Sequence, residues 1–306
     1  MITIYKNTEK GLTALEEPMS GAWINVIDPS PEEISQLQQF GIPTDYFTSP
    51  LDLDERARIE RENGELLIIV RIPEFQGVGA DISYITVPLG IIISEQYIFT
   101  VCKHENIILQ DFASGRAKAL STSKRPRFLL RLLHDIAVKY LTYLREINKV
   151  VDVLEDQLQL STRNKEVLEL LKYQKSLTYF TTALKANELM MERLQRSQLF
   201  KKYPEDEDLL DDVLIENRQA IQATDTLAGL AEQYRQGFQD KITQGEKPAA
   251  IDALRSQLEQ TAQKLADLAA GANKNVPAGA VLELRSHQEA YMIDPIPVAY
   301  ARLQGQ

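Results

Sequence analysis

The residues in this chain best suited to chemistry are carboxylates. In "EDEDLLDDVLIE", Glu205 to Glu216, Asp208, Asp211 and Asp212 stand at i, i+3 and i+4. On a helix that spacing puts all three on one face. Mg²⁺ prefers oxygen ligands, often one or two carboxylates plus retained water. Such a face could therefore offer carboxylates to a hydrated ion held between subunits. The same acids also suit a helix N-terminus, where the macrodipole favours negative charge.

Other chemistries find little support. His104, His134 and His287 lie far apart, without metal-ligand spacing. The single cysteine, Cys102, sits in a strand-like run and reads as a buried structural thiol. No P-loop and no GxGxxG is present. The chain is not expected to be an enzyme.

Composition narrows the partners. Of the 306 residues, 44% are hydrophobic and 25% charged, as in ordinary soluble domains. A net charge of -10 with no basic stripe argues against nucleic acid. One cysteine allows no internal disulfide and fits a reducing compartment. The N-terminus "MITIYKNTEKG" lacks the apolar stretch of a signal peptide. A membrane helix needs about 20 mostly apolar residues. The best run, Ile82 to Cys102, is broken by Pro88, Gly90, Ser94, Glu95 and Gln96 and reads as two strands. The expectation is a soluble, cytoplasmic protein.

Three regions must position the acids. Residues 1–122 alternate strand and helix signals and read as an α/β head around a mixed sheet. "AWINVIDPS" is a strand ending in a turn, "SPEEISQLQQFG" opens and closes like a short helix, and Asn63-Gly64 marks a hairpin. Residues 123–245 read as a long helical stalk. Leu133, Ala137, Tyr140, Leu144, Ile147, Val151, Leu154 and Leu158 keep a heptad rhythm, which resumes after "STRNK" with Leu170, Tyr173, Leu177, Phe180, Leu184, Asn187, Met191 and Leu194. Two such helices with a short polar joint form an antiparallel hairpin. A third helix starts in the acids after the break at Pro204. Residues 246–306 are a polar tail: an amphipathic stretch ends at Gly271-Ala272-Asn273, and Pro295 and Pro297 bar a regular helix further on.

This order of parts, with "VVDVLEDQL" and "DVLIENRQAI" as its most telling pieces, resembles the CorA family of magnesium and cobalt channels over residues 1 to about 240. In that family the last stalk helix continues into a membrane span that ends in a Gly-Met-Asn signature at the pore mouth, followed by a second span and a basic tail. Here Gly271, Ala272 and Asn273 stand where the signature is due, with Ala272 in place of Met, and the spans are replaced by polar sequence. The abrupt change to an Ala/Gln/Leu-rich helix favours a solubilised, engineered analogue over natural divergence.

The resemblance implies a homo-oligomer, a pentamer, with divalent cations, Mg²⁺ or Co²⁺, bound between protomers. It implies that Asp211 or Asp212, with Asp208 nearby, faces an acid from the next subunit's head, with Glu74 and Asp81 the candidates. The expected function is divalent-cation sensing without transport. The alternative is a soluble scaffold that keeps the fold and binds no ion.

Overall fold

The computed structural model describes residues 1–8, 11–114, 121–160, 164–197, 200, 204–243 and 260. The chain divides into two compact units, Met1–Asp240 and Lys241–Gln306. Nearly all of the second unit lies outside the described residues, including Gly271, Ala272 and Asn273.

Among the described residues, the first unit is built on one mixed sheet of seven strands in the order β2-β1-β3-β7-β6-β5-β4. In chain order these are β1 (Ile2–Thr8), β2 (Gly11–Leu15), β3 (Trp23–Ile27), β4 (Arg58–Glu62), β5 (Glu65–Phe75), β6 (Tyr84–Ile93) and β7 (Ile98–Cys102). Only β3 and β7 pair in parallel; the other neighbours are antiparallel. The Ile82–Cys102 run is thus the strand pair β6 and β7, in register from Gly90↔Val101 to Ile93↔Ile98. Asn63 and Gly64, both at positive φ (50° and 91°), close the β4–β5 hairpin at Glu62↔Glu65. Two-residue hairpin turns of this handedness demand such residues.

Central strands are apolar on both faces. On β5, Leu66, Ile68, Val70 and Ile72 join the core under the long helices, whereas Leu67 and Ile69 join a second core with Ile24, Phe47 and Phe99. The second core is covered by α1 (Pro31–Leu37) and α2 (Thr44–Thr48), which supply Leu37, Tyr46 and Phe47. Ser30 and Glu33 form a reciprocal capping box at the start of α1. A third short helix, α3 (Ile107–Ala113), packs Ile108, Leu109 and Phe112 into the first core.

Three long helices follow: α4 (Arg125–Leu160), α5 (Asn164–Arg196) and α6 (Pro204–Thr243). The heptad residues Leu133, Ala137, Tyr140, Leu144, Ile147, Val151 and Leu154 are all buried. So are Leu170, Leu177, Phe180, Leu184 and Met191. Cross-helix bonds set the directions. Gln195 meets Asp211, Arg218 meets Glu188 and Gln174 meets Glu232, so α5 and α6 run antiparallel. Arg127, near the start of α4, bonds Glu205 and Asp206 at the start of α6.

Helix α5 lies against β4, β5 and β6, and its Asn187 joins helix to sheet. The β4–β5 pairing stops at Arg58↔Ile69, which leaves the backbone of Arg71 without a strand partner on that side. Asn187 supplies one: its Oδ1 accepts from the Arg71 N–H (2.9 Å) and its Nδ2 donates to the Arg71 carbonyl (2.8 Å). The Tyr140 hydroxyl donates to the same carbonyl at 3.0 Å. Opposite Arg71 on β6 stands Pro88, whose missing N–H costs nothing because the Arg71 backbone bonds the other way.

Candidate divalent-cation surface

Helix α6 turns Leu210, Val213, Leu214 and Asn217 inward and leaves Asp208, Asp211 and Asp212 exposed. The i, i+3, i+4 spacing therefore puts three carboxylates on one solvent-facing surface. Asp211 accepts a bond from Gln195 Nε2 at 2.9 Å. Asp208 and Asp212 have no hydrogen-bond or ion-pair partner among the described residues.

Nearby acids are treated differently. Asp206 is almost fully buried and bound to Arg127 Nε at 2.7 Å, with Glu205 on the same guanidinium at 2.8 Å. These two carboxylates hold the Arg127 pKa above its ordinary value. Nearly two turns beyond Asp212, Arg218 spans Glu188 (2.7 Å) and Glu192 (3.4 Å) on α5. Arg127 thus pairs the acids at the helix start, while Asp208 and Asp212 further along carry no such partner among the described residues.

The helix dipole accounts for part of this charge. Glu205, Asp206 and Glu207 lie in the first turn, where the partial positive charge is felt. Asp211 and Asp212 lie about two turns in from Pro204, beyond that reach.

Glu74 and Asp81 sit at the far end of the β5–β6 hairpin. Glu74 points toward the long helices. Its Oε1 accepts from Gln76 Nε2 at 2.6 Å, and its Oε2 is sealed from solvent with no hydrogen-bond partner. Burial, with Glu146 and Glu74 adding negative charge, pushes the Tyr143 pKa up. The adjacent Tyr84 hydroxyl donates to Glu146 Oε2 at 3.0 Å, and burial raises its pKa. Asp81 is exposed in the connecting loop and unpartnered among the described residues. Within one chain the five acids do not converge: among the described residues, no group of three or more His, Cys, Asp or Glu side chains is placed to hold a metal.

Cys102 is buried beside Asn106, whose Nδ2 lies 3.7 Å from the sulfur, and burial pushes its thiol up to about 12. It is unreactive as a thiolate at neutral pH. The pairing of Asn187 with Arg71 was not visible in the sequence, since they meet across 116 positions.

The sequence pattern of the CorA-like Mg²⁺ transporter protein family matches residues 20–245. The chain belongs to this family. A cobalt/magnesium transport protein CorA from Methanocaldococcus jannaschii is 32% identical over 215 residues, spanning 67% of this chain and 64% of that protein. This chain thus aligns with a little under two thirds of that CorA's length. Among solved structures, the complete CorA magnesium transporter from the same organism superposes with a TM-score of 0.71 at 20% identity, covering 90% of this chain and 89% of that one. The soluble domain of that CorA gives a TM-score of 0.68 at 22% identity, covering 76% of this chain and 94% of that domain. At these identities the two structures speak to the fold: a mixed-sheet head followed by long helices, as in the CorA soluble domain. No helix of the described residues is long and apolar enough to cross a membrane.

Proposed function

We propose that this chain is a CorA-type head and stalk that senses divalent cations and does not conduct them. Asp211 and Asp212, with Asp208 beside them, meet an acid of a neighbouring copy, and a hydrated Mg²⁺ or Co²⁺ sits between the two surfaces. Asp81 is the better placed partner because it is exposed; Glu74 reaches a neighbour only by leaving its contact with Gln76. Carboxylates brought together repel, and a cation between them removes the repulsion. Binding then favours the symmetric assembly, a pentamer by family resemblance.

The observation that carries this reading is the pair Asp208 and Asp212, exposed and without a partner among the described residues, on the face where Asp211 meets Gln195. The name of the M. jannaschii relative supports the choice of metals. Loss of transport rests on the tail. Asp252, Arg255, Glu259 and Asp267 stand where a span is due. Each costs about 2.5–3.5 kcal/mol at a membrane-helix centre. Residues 246–306 thus replace the spans with polar sequence, by redesign, and the protein stays in the aqueous phase.

Sedimentation of the full chain in EDTA, Mg²⁺ and Co²⁺ tests the reading. Cation-dependent growth of a discrete homo-oligomer is expected. One unchanged size in all three conditions favours the scaffold that keeps the fold and binds no ion.

A further inference from the structure

A second polar feature lies far along β5 from Glu74, at the β4–β5 turn. Here the Asn63-Gly64 turn, the Ser94–Tyr97 turn between β6 and β7, and the first residues of α4 surround a cleft of about 450 Å³. That volume is within the usual range of small-molecule sites, about 300–1,000 Å³.

Four charges line the cleft, Arg61 and Arg125 against Glu65 and Glu95, over a floor that includes Leu66, Ile93 and Pro126. Among the described residues none of the four makes an ion pair with another or with anything else. Arg61 is exposed and has no hydrogen-bond partner there, and Arg125 gives its guanidinium to the backbone carbonyl of Glu95, not to a carboxylate. Glu65 is the most constrained. Its Oε2 is shut off from solvent and accepts no hydrogen bond. Burial raises its pKa; Glu95 adds to the rise, and Arg125 opposes it. A buried acceptor without a donor is costly. Glu65 lines the cleft, and its terminal carboxylate torsion is soft.

The fold has thus gathered two positive and two negative groups around one apolar floor without pairing them. A molecule that brings one charge of each sign and an apolar body pairs one acid and one arginine and covers the floor. We propose that the cleft binds a free α-amino acid with an apolar side chain, its ammonium group on Glu65, its carboxylate on Arg61, and its side chain over Leu66, Ile93 and Pro126. The ammonium supplies the donor that Glu65 lacks, and charge-assisted bonds of this kind are the stronger ones.

Calorimetric titration of the full chain with L-leucine tests this directly, with leucine amide and N-acetyl-leucine as ligands lacking one charge each. One saturable site for leucine is expected, with each blocked ligand at least about tenfold weaker. Glu65→Gln and Arg61→Gln should each weaken leucine by a similar factor while the far-UV spectrum and oligomer size stay unchanged. No saturable binding at about 1 mM leucine overturns the proposal. So does equal binding of leucine and either blocked ligand, or full binding by both variants. If Glu65→Gln fails to fold, the two blocked ligands on the unaltered chain still decide the matter.

Discussion

Two neighbouring helices carry polar side chains to opposite ends. On α5, Asn187 is fully buried and both halves of its amide are used, one on the N–H and one on the carbonyl of Arg71. On α6, Asp208 and Asp212 are exposed and unpartnered among the described residues. The first arrangement is structural: a buried polar group fully satisfied helps specify one docking of helix on sheet. The second arrangement contributes nothing to holding one chain together. Like charges three and four residues apart on a helix are mildly destabilising, so the stretch is explained best by something outside the chain. The same contrast separates the paired Asp206 from the unpaired Asp212 on a single helix.

Breaking the satisfied side should have the largest effect. Asn187→Leu keeps the volume and removes both bonds, stranding the Arg71 N–H while Tyr140 still donates to the carbonyl. Urea unfolding should show a loss of about 1–3 kcal/mol. A loss below about 0.5 kcal/mol, the size of an ordinary surface change, would mean that Asn187 merely occupies a heptad position.

A second break lies in the head. Gly90 is the point where β6 passes the turn that follows α2: an added Cβ would stand 2.3 Å from Pro50 Cγ and 2.8 Å from its Cβ. Gly90→Ala should cost about 1–3 kcal/mol in the same assay, as overpacking does. An unchanged midpoint would show that the Pro50 turn gives way freely.

What the sequence made legible follows physical range. The Asn63-Gly64 turn, the Ser30 cap and the heptad core were readable because each depends on neighbours within a few residues. The β1–β2 hairpin escaped notice, since "ITIYKNT" and "GLTAL" are short, partly polar and only partly buried. Asn187 was visible only as a member of the heptad, because its partner lies on another element. The α6 acids were legible as a face, but the sequence left the helix dipole open as their reason; that Asp211 and Asp212 lie too deep for it follows from the helix start at Pro204. That Glu74 turns toward α4 could not be read, because the strand's alternation gives its side and not its neighbours.

A smaller effect sharpens the contrast from the open side. Glu65 has a raised pKa in the folded chain. The unfolded chain therefore ionises first as pH rises, and the folded chain holds the extra proton, so stability falls through that window. Glu65→Gln does not titrate. It should gain on the unaltered protein as pH climbs from the ordinary glutamate value, about 4.3, through the raised one, and the gain should vanish below it. A stability difference that does not vary with pH would place Glu65 in ordinary solvent.

The central claim is that the exposed acids of α6 exist for a divalent cation. Thermal denaturation of the unaltered chain and of the Asp211→Asn, Asp212→Asn double variant, each in EDTA and in Mg²⁺, tests it most directly. A ligand at a hundredfold its Kd adds about 2.7 kcal/mol per site to a chain that binds only when folded. The melting temperature of the unaltered chain should rise with Mg²⁺. The double variant should lose most of that rise while matching or exceeding the unaltered chain in EDTA. A melting temperature of the unaltered chain that does not move with Mg²⁺, or a double variant that is weaker in EDTA and still responds fully, would contradict the claim.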